Sequence, residues 1–330
     1  MQITERTAGM SVILKTDSPR TYVLTIDVEI DAGPKWKTSN PASYQGVYTG
    51  IEVLQRLCDA YGVKPVYLIS PAVMVDQRSV DCLKSLNRSH CELGTHLHGE
   101  YIPPMERFPG SDFSGCDPKD MQCEYDKDVE FEKLKNLTDK FVDLFGYAPK
   151  SFRAGRFGAR GWTLECLERL GYTHDTSVTP FRNWHDIADF SQPSSLSPYY
   201  PSKDNICLQG DSKIVEVPVS ITPKLEWLRP TPRFSDFDQC KKVIDWYEAH
   251  TTPIVLCSMF HNVELVPNKS PYCKTAEDCK AMLERIEQTF QLLKTRGYVF
   301  KTLDQITVEG KVGHAAHLPT CEPIVSTGGA

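Results

Sequence analysis

The sequence predicts an α/β fold, a distorted (β/α) barrel of about seven to eight parallel strands. Short apolar runs that are typical of buried strands alternate with segments of helical periodicity along most of the chain. Charged and imidazole side chains follow several of these apolar runs, as they do where the carboxyl ends of parallel strands form a site. An open, doubly wound sheet is the competing architecture.

The first half of the chain carries five strand signals separated by helical patterns. The strands are predicted at 22–26, 64–69, 91–94, 150–153 and 172–175. The helices are predicted at 50–61, 75–86, 124–145 and 163–170. In the first helix the apolar side chains recur at a spacing of three and four residues, which places them on one face.

The second half continues the alternation and completes about eight β/α units. Its strands are predicted at 214–219, 254–260 and 298–302, and its helices at 237–250 and 276–296. Two long irregular segments, 99–123 and 180–211, follow strand ends, and we expect them to wall a substrate cleft.

Length and composition allow one large α/β domain of barrel size or two smaller ones. The 330 residues are 40% apolar, enough for a sizeable core. We predict an N-terminal extension at 1–20, the barrel domain at 21–308, and a disordered tail at 309–330, where the chain is polar and rich in glycine.

Charge and hydropathy narrow the class of partner. The net charge of -6 and the scattered basic residues give no basic face, so nucleic acid is not expected. No apolar stretch approaches the roughly 20 residues of a membrane-spanning helix. The N-terminus lacks the order of a signal peptide, and the expected location is therefore cytoplasmic.

The twelve cysteines form no C-x-x-C motif, and most lie in apolar patterns where reduced thiols pack as small hydrophobic groups. Cys116 with Cys123 and Cys273 with Cys279 lie in loop-like segments. For these two pairs a disulfide or an adventitious metal is the alternative.

Two clusters supply candidate metal ligands and a candidate base. In Thr25-Ile-Asp27-Val-Glu29, residues two apart on a strand face the same way, so Asp27 and Glu29 converge if the strand continues. A helix cap is the alternative for this acidic pair. His96 and His98 repeat the spacing and could share one divalent ion, with Glu100 as a further ligand.

Arg153 and His261 complete the set of site candidates. Each ends an apolar run, so both are expected at the same mouth as Asp27. Arg153 could orient Asp27 and favour its ionised form. His261 would place an imidazole at the same mouth, with a plain core histidine as the alternative. A carboxylate, imidazoles and a guanidinium together are the inventory of a metal-dependent hydrolase.

These clusters resemble, in order, the motifs of the polysaccharide deacetylase family, the NodB-like carbohydrate esterases. The resemblance covers roughly residues 22–307. It implies a barrel of the NodB-homology type, in which Asp27 is the general base held ionised by Arg153. It also implies that His261 is the general acid, with Asp175 of Asp175-Thr-Ser177 orienting its imidazole.

The sequence departs from the family pattern at the metal. Val28 stands where the family has a second aspartate, a metal ligand, and valine cannot bind metal. Glu29 is the candidate replacement, with Asp31 as a reserve. The usual spacing of four between the metal histidines is also lost. The ion would then be bound by His96 together with either His98 or Glu100, and we favour His98.

Two further sets of residues are expected around the substrate. The arginine motif lacks the usual proline, so the backbone N–H for the oxyanion is expected from Arg156 or Phe157. Trp36 and Trp184 lie in loops near the motifs, where tryptophans suit stacking on sugar rings or simple loop packing. Phe260-His-Asn-Val-Glu264 resembles the WalW-like branch. Glu264 could belong to this motif by its position or be a solvated loop carboxylate, and it is left out of the catalytic set.

The resemblance therefore implies a divalent-metal-dependent deacetylase acting on N- or O-acetyl groups of a glycan or glycan precursor, in cell-surface polysaccharide metabolism. Zinc is the first expectation for the ion, with cobalt, nickel, iron and manganese as alternatives. One rival is a hydrolase of a non-sugar amide, such as a cyclic imide or ureide. The other is an inactive carbohydrate-binding protein.

Overall fold

A computed structural model describes residues 20–33, 36, 38–106, 119, 121–232 and 236–308 of the chain. The predicted tail at 309–330, nearly all of the predicted N-terminal extension, Cys116 and Cys321 lie outside these residues. Within the described part, no helix is both long and apolar enough to cross a membrane.

In the described residues, ten strands alternate with six α-helices. The strands are β1 (Arg20–Val28), β2 (Val66–Ile69), β3 (Glu92–Leu97), β4 (Ser151–Ala154), β5 (His174–Asp175), β6 (Asn183–Trp184), β7 (Ala188–Asp189), β8 (Val215–Glu216), β9 (Ile254–His261) and β10 (Val299–Phe300). The helices are α1 (Glu52–Tyr61), α2 (Gln77–Lys84), α3 (Lys127–Phe145), α4 (Gly161–Leu170), α5 (Phe237–His250) and α6 (Ala276–Thr295).

Eight of the strands form one parallel sheet, which confirms the predicted α/β class. The order is β8-β5-β4-β3-β2-β1-β9, and β10 pairs with the start of β1. The remaining two, β6 and β7, form a small antiparallel hairpin within the second long irregular segment.

The sheet curls into an incomplete barrel. In the part of the chain that the structure describes, no strand ladder joins β8 to β9. Ser220, just after β8, closes this seam: its N–H donates to the carbonyl of Cys257 on β9 at 2.9 Å, and its Oγ accepts the Cys257 N–H at 2.9 Å. The prediction of a closed or nearly closed barrel is thus met by hydrogen bonds at the seam rather than by a continuous ladder.

Alternation along β1 separates two apolar layers. Tyr22, Leu24, Ile26 and Val28 face outward and belong to the large core between the sheet and the helices. Val23 points inward, into a smaller cluster with side chains of β2, β8 and β9. Side chains alternate along a strand, so the inward face continues to Asp27 at the carboxyl end. Val28 is therefore a core residue, which explains why an apolar side chain is suitable there.

The described cysteines agree with the prediction of reduced thiols. All ten of them are free, and nine are buried. Cys273 and Cys279 are among these free thiols, so the alternative of a disulfide between them is wrong in this structure.

Candidate active site

Register brings four predicted site residues to one mouth of the barrel. Asp27 at the end of β1 is the strand partner of His261 on β9. His96 on β3 is the partner of Arg153 on β4. Because all these strands are parallel, their carboxyl ends meet at the same edge. Residues more than 200 positions apart in sequence thus lie together.

The Arg153 side chain is completely buried and holds Asp27. Its Nη1 donates to Asp27 Oδ1 at 2.7 Å, its Nη2 to Thr25 Oγ1 at 2.7 Å, and its Nε to the Thr176 carbonyl at 2.9 Å. Burial alone would raise the pKa of Asp27, but Arg153 and the nearby histidines outweigh it and lower that pKa. Asp27 is therefore a fixed carboxylate.

Glu29 is the centre of a cluster of imidazoles. Its Oε1 lies 3.2 Å from His96 Nε2, 3.0 Å from His98 Nε2 and 3.7 Å from His261 Nε2. One ligand atom from each of Glu29, His96 and His98 falls within 4.8 Å of the others. Two imidazoles and a carboxylate are a donor set suited to a divalent transition metal.

The backbone fixes the tautomer of His96 that a metal ligand needs. His96 Nδ1 lies 3.0 Å from the carbonyl of Arg153, to which it donates. The lone pair of Nε2 then faces Glu29, and this second hydrogen bond orients the ring as second-layer partners of ligating histidines do. The three residues therefore fit the ion that the family resemblance implies.

His98 lies between two carboxylates. Its Nε2 faces Glu29, and its Nδ1 lies 3.4 Å from Glu100 Oε1, which also accepts a bond from Arg156 Nη1 at 3.1 Å. Burial would lower the pKa of His98, but the two carboxylates raise it to about 10. Their charges stabilise positive charge here, as a proton or as a cation. Glu100 supports His98 from the side away from Glu29.

The structure corrects the partner of His261. Its Nδ1 lies 2.8 Å from Glu264 Oε1, and Oε1 also accepts from Arg229 Nη2 at 2.6 Å. Thr231 Oγ1 donates to the other Glu264 oxygen. Glu264 is fully buried, so of its two interpretations the solvated loop carboxylate is wrong. Burial opposes ionisation, yet Arg229 and His261 lower the pKa of Glu264 to about 2.

Asp175, the expected partner of His261, has other partners. It accepts a bond from Ser177 Oγ at 2.7 Å, and Ser177 Oγ in turn accepts the N–H of Ala154, next to Arg153. Burial raises the pKa of Asp175. Glu216 is its neighbour on β8, and burial together with the charge of Asp175 raises the pKa of Glu216 well above its usual value. Asp175 thus supports the end of β4, and its predicted role on the imidazole is not what the geometry shows.

Asp31, the reserve metal ligand, is engaged elsewhere. Its oxygens accept from Ser43 Oγ at 2.5 Å and from the N–H groups of Gln45 and Gly46 at 2.8 Å each, and Lys269 Nζ lies 3.4 Å away. It fixes the loop that leads into the first helical segment. Of the alternatives for the third ligand, the geometry favours Glu29.

A cavity of about 920 Å³ opens above the cluster. The two long irregular segments contribute to its wall through Tyr101 and Trp184, as predicted. Among the described residues that line it, six are large aromatic groups: Trp36, Tyr101, Phe157, Trp184, Trp227 and Tyr272. Trp36 packs edge-on against His261, with ring centres 4.9 Å apart, and its Nε1 donates to Tyr272 Oη at 3.3 Å.

The turn after β4 brings backbone close to the imidazoles. Arg156 and Phe157 both have positive φ angles, 49° and 59°, and line the cavity. Gly155 precedes them, and a Cβ there would lie 2.5 Å from the carbonyl of Leu97 and 3.2 Å from the ring of His98. Only glycine allows this approach. The turn is thus adjacent to the predicted ligands, and its N–H groups stay a prediction for the oxyanion.

No family model matches the sequence, and no curated protein matches it. Solved structures do share its fold. A "putative glycoside hydrolase/deacetylase" from Parabacteroides distasonis aligns over 87% of this chain and 70% of its own, at 12% identity and TM-score 0.60. The 4-alpha-glucanotransferase of Thermococcus litoralis aligns over 88% and 41%, at 14% identity and TM-score 0.52. A "putative polysaccharide deacetylase" from Mycobacterium smegmatis aligns over 92% and 100%, at 16% identity and TM-score 0.48.

The chain shares the fold of the putative glycoside hydrolase/deacetylase from Parabacteroides distasonis. The predicted NodB-type barrel is thereby confirmed at the level of architecture. A glucanotransferase shares this architecture, so the fold does not specify the reaction, and function has to be argued from the site. The WalW-like branch stays a prediction.

Sequence reasoning left several residues of this site without a role. Glu264, Arg229 and Thr231 form the support of His261, and Tyr101 and Arg182 line the cavity. The three-residue spacing from His261 to Glu264, directly after a strand, is the signal that could have identified the first of them.

Proposed function

We propose that this protein is a divalent-metal-dependent deacetylase that hydrolyses N- or O-acetyl groups on a glycan or glycan precursor, in cell-surface polysaccharide metabolism. The observation that carries the proposal is one carboxylate oxygen, Glu29 Oε1, within 3.7 Å of three imidazole nitrogens beside the ionised Asp27. A hydrolase needs this combination of base, acid and ligand set.

Asp27 is the proposed general base. Arg153 occupies its Oδ1, while Oδ2 lies 4.0 Å from His96 Nε2, on the side of the predicted ligands. An oxygen in this position can take a proton from a water that attacks the acetyl carbonyl. The guanidinium fixes the carboxylate, so no reorganisation is needed as the proton moves.

His261 is the proposed general acid. Burial would lower its pKa, but Glu29 and Glu264 outweigh this and raise it, which stabilises the protonated imidazolium form. Nδ1–H is held by Glu264, which leaves Nε2–H to give a proton to the leaving nitrogen or oxygen. Cleavage of the acyl bond then yields acetate and a free amine or hydroxyl group.

Glu29, His96 and His98 are the residues that would hold the ion, zinc as the first expectation and cobalt, nickel, iron or manganese as alternatives. Polarisation of the acetyl carbonyl and a lowered pKa of bound water are the chemistry that a divalent ion supplies at such a site. The chain itself orients these ligands through the Arg153 carbonyl and Glu100.

The cavity supports a carbohydrate substrate. Its volume of about 920 Å³ accommodates a ligand of sugar-oligomer size, and its aromatic wall offers planes on which apolar sugar faces can stack. The complete base and acid argue against an inactive binding protein. A cyclic imide or ureide stays the alternative substrate for the same residues.

Release of acetate from N-acetylated and O-acetylated oligosaccharides tests the proposal. Asp27→Asn should reduce kcat at least about 100-fold, since it removes the base. The exposed Asp139→Asn removes the same charge far from the cavity and should change nothing. Full activity in Asp27→Asn, or after exhaustive chelation, would contradict the proposal. Hydrolysis of cyclic imides without release of acetate would favour the alternative.

A further inference from the structure

One arginine on the cavity wall is held in place but has no anionic partner among the described residues. Arg182 precedes the β6–β7 hairpin, and its backbone is tied by a bond from its N–H to the Thr179 carbonyl at 3.2 Å and by the Phe190 N–H at 2.7 Å. Its guanidinium carbon lies 4.8 Å from the centre of the Trp184 ring. Trp184 in turn stacks on Phe157, with ring centres 5.5 Å apart. The guanidinium therefore rests on a rigid aromatic stack.

The other described arginines that line the cavity have carboxylate partners. Arg156 pairs with Glu100 at 3.1 Å, and Arg229 pairs with Glu264 at 2.6 Å. Arg182 makes no such pair within the described part of the chain, and its buried Nε has no hydrogen-bond acceptor among the described residues. A buried N–H of a charged group without an acceptor costs free energy, which a bound anion would recover.

Chemistry decides what such a group recognises. The guanidinium fork matches two oxygens of one oxyanion, either a carboxylate or a phosphate, and it is more easily desolvated than an ammonium. Stacking on Trp184 limits the rotation of the guanidinium and lowers the entropy lost on binding. Arg182 lines the same cavity as Asp27 and His261. An anionic group bound to Arg182 would therefore be part of the substrate whose acetyl group lies beside Asp27 and His261.

We infer that the substrate is an anionic acetylated sugar, whose carboxylate or phosphate binds Arg182 while its acetyl group lies at the catalytic cluster. This inference rests on the proposed deacetylase function and adds the charge of the substrate. It assigns Arg182 to specificity rather than to the chemical step, because the proposed base and acid need no help from it.

Three acetamido sugars that differ in charge test the inference by binding alone. N-acetylglucosamine is neutral, N-acetylmuramic acid adds a carboxylate, and N-acetylglucosamine 6-phosphate adds a phosphate. Dissociation constants are measured by calorimetry on the full-length zinc-loaded protein. At least one anionic sugar should bind about tenfold or more tightly than the neutral one. Whichever anionic sugar binds more tightly shows whether the site recognises a carboxylate or a phosphate.

Arg182→Gln should abolish that preference by lowering the affinity for the anionic sugar to about that for N-acetylglucosamine, whereas Arg182→Lys should keep part of it. Arg56→Gln removes an equal charge from an exposed helix position and should keep the whole preference. Equal affinities in the wild type, or an undiminished preference in Arg182→Gln, would overturn the inference. Acetate release from a neutral acetylated oligosaccharide by the wild-type protein is measured in parallel. If the binding data overturn the inference but acetate is released, the proposed deacetylase function stands without an anionic substrate.

Discussion

Substitution of Glu264 by glutamine tests whether this residue positions the general acid. Glutamine has the same shape, so the site keeps its packing. It loses the charge that binds Arg229 at 2.6 Å and His261 Nδ1 at 2.8 Å. Oε1 of Glu264 also accepts the His261 N–H at 3.0 Å, so one atom serves three donors.

Two effects follow from the lost charge. Breaking a buried ion pair should lower the free energy of unfolding by about 3 kcal/mol. Burial lowers the pKa of His261, whereas Glu29 and Glu264 raise it, so without the Glu264 charge that pKa falls. A general acid works in its protonated form, and activity is lost as pH rises through its pKa. The alkaline limb of the kcat profile should therefore move to lower pH, with kcat reduced about 100-fold at pH 8.

The assay is acetate release from an acetylated oligosaccharide between pH 5 and 10, with unfolding followed by denaturant titration. Asp175→Asn is the matched control: Asp175 binds Ser177 and makes no contact with His261 in the described structure, so the alkaline limb should stay in place. A folded Glu264→Gln protein with kcat within twofold of the wild type and an unmoved alkaline limb would refute the positioning role.

Two predictions concern stability. Lys133 is fully buried, and its Nζ donates hydrogen bonds to the carbonyls of Gly99 at 2.8 Å and Ile102 at 2.9 Å. Lys133→Met should lower the free energy of unfolding, measured by denaturant titration, by about 3 kcal/mol, because these carbonyls lose their donor. An unchanged free energy of unfolding would contradict a stabilising role for these bonds. Burial and the charge of Asp304 raise the pKa of Glu92 from 4.5 to about 7, so its contribution to stability is present below pH 4.5 and lost as pH rises through 7. From pH 4.5 to pH 8 the free energy of unfolding of Glu92→Gln should therefore rise by about 3 kcal/mol relative to that of the wild type. If the free energies of unfolding of the two proteins run parallel across this pH range, the raised pKa of Glu92 is excluded.

Local patterns were sufficient for most secondary structure. Helix α5 is found at the predicted bounds, Phe237–His250, because its apolar spacing and the Asp236 cap are both local signals. The sheet seam could not be predicted in the same way. The bond between Ser220 and Cys257 joins residues far apart in sequence, and no local pattern encodes it.

Strand alternation explains why part of the site was predictable. Because Asp27 and Glu29 share a face, as do His96 and His98, their convergence followed from the period of a strand. The support of His261 did not follow, since burial of Glu264 depends on Arg229, which a separate loop delivers. A polar residue after a strand resembles a solvated loop residue until its distant partner is known.

Metal content measured by mass spectrometry tests the central claim most directly. The wild-type protein, loaded with zinc and passed over a desalting column, should retain one ion per chain, and both His96→Ala and Glu29→Ala should lose it. Glu100→Gln is the matched control and should keep the ion, because Glu100 binds the far side of His98. A wild-type protein without metal after loading, or a Glu29→Ala protein that keeps a full equivalent, would contradict the account.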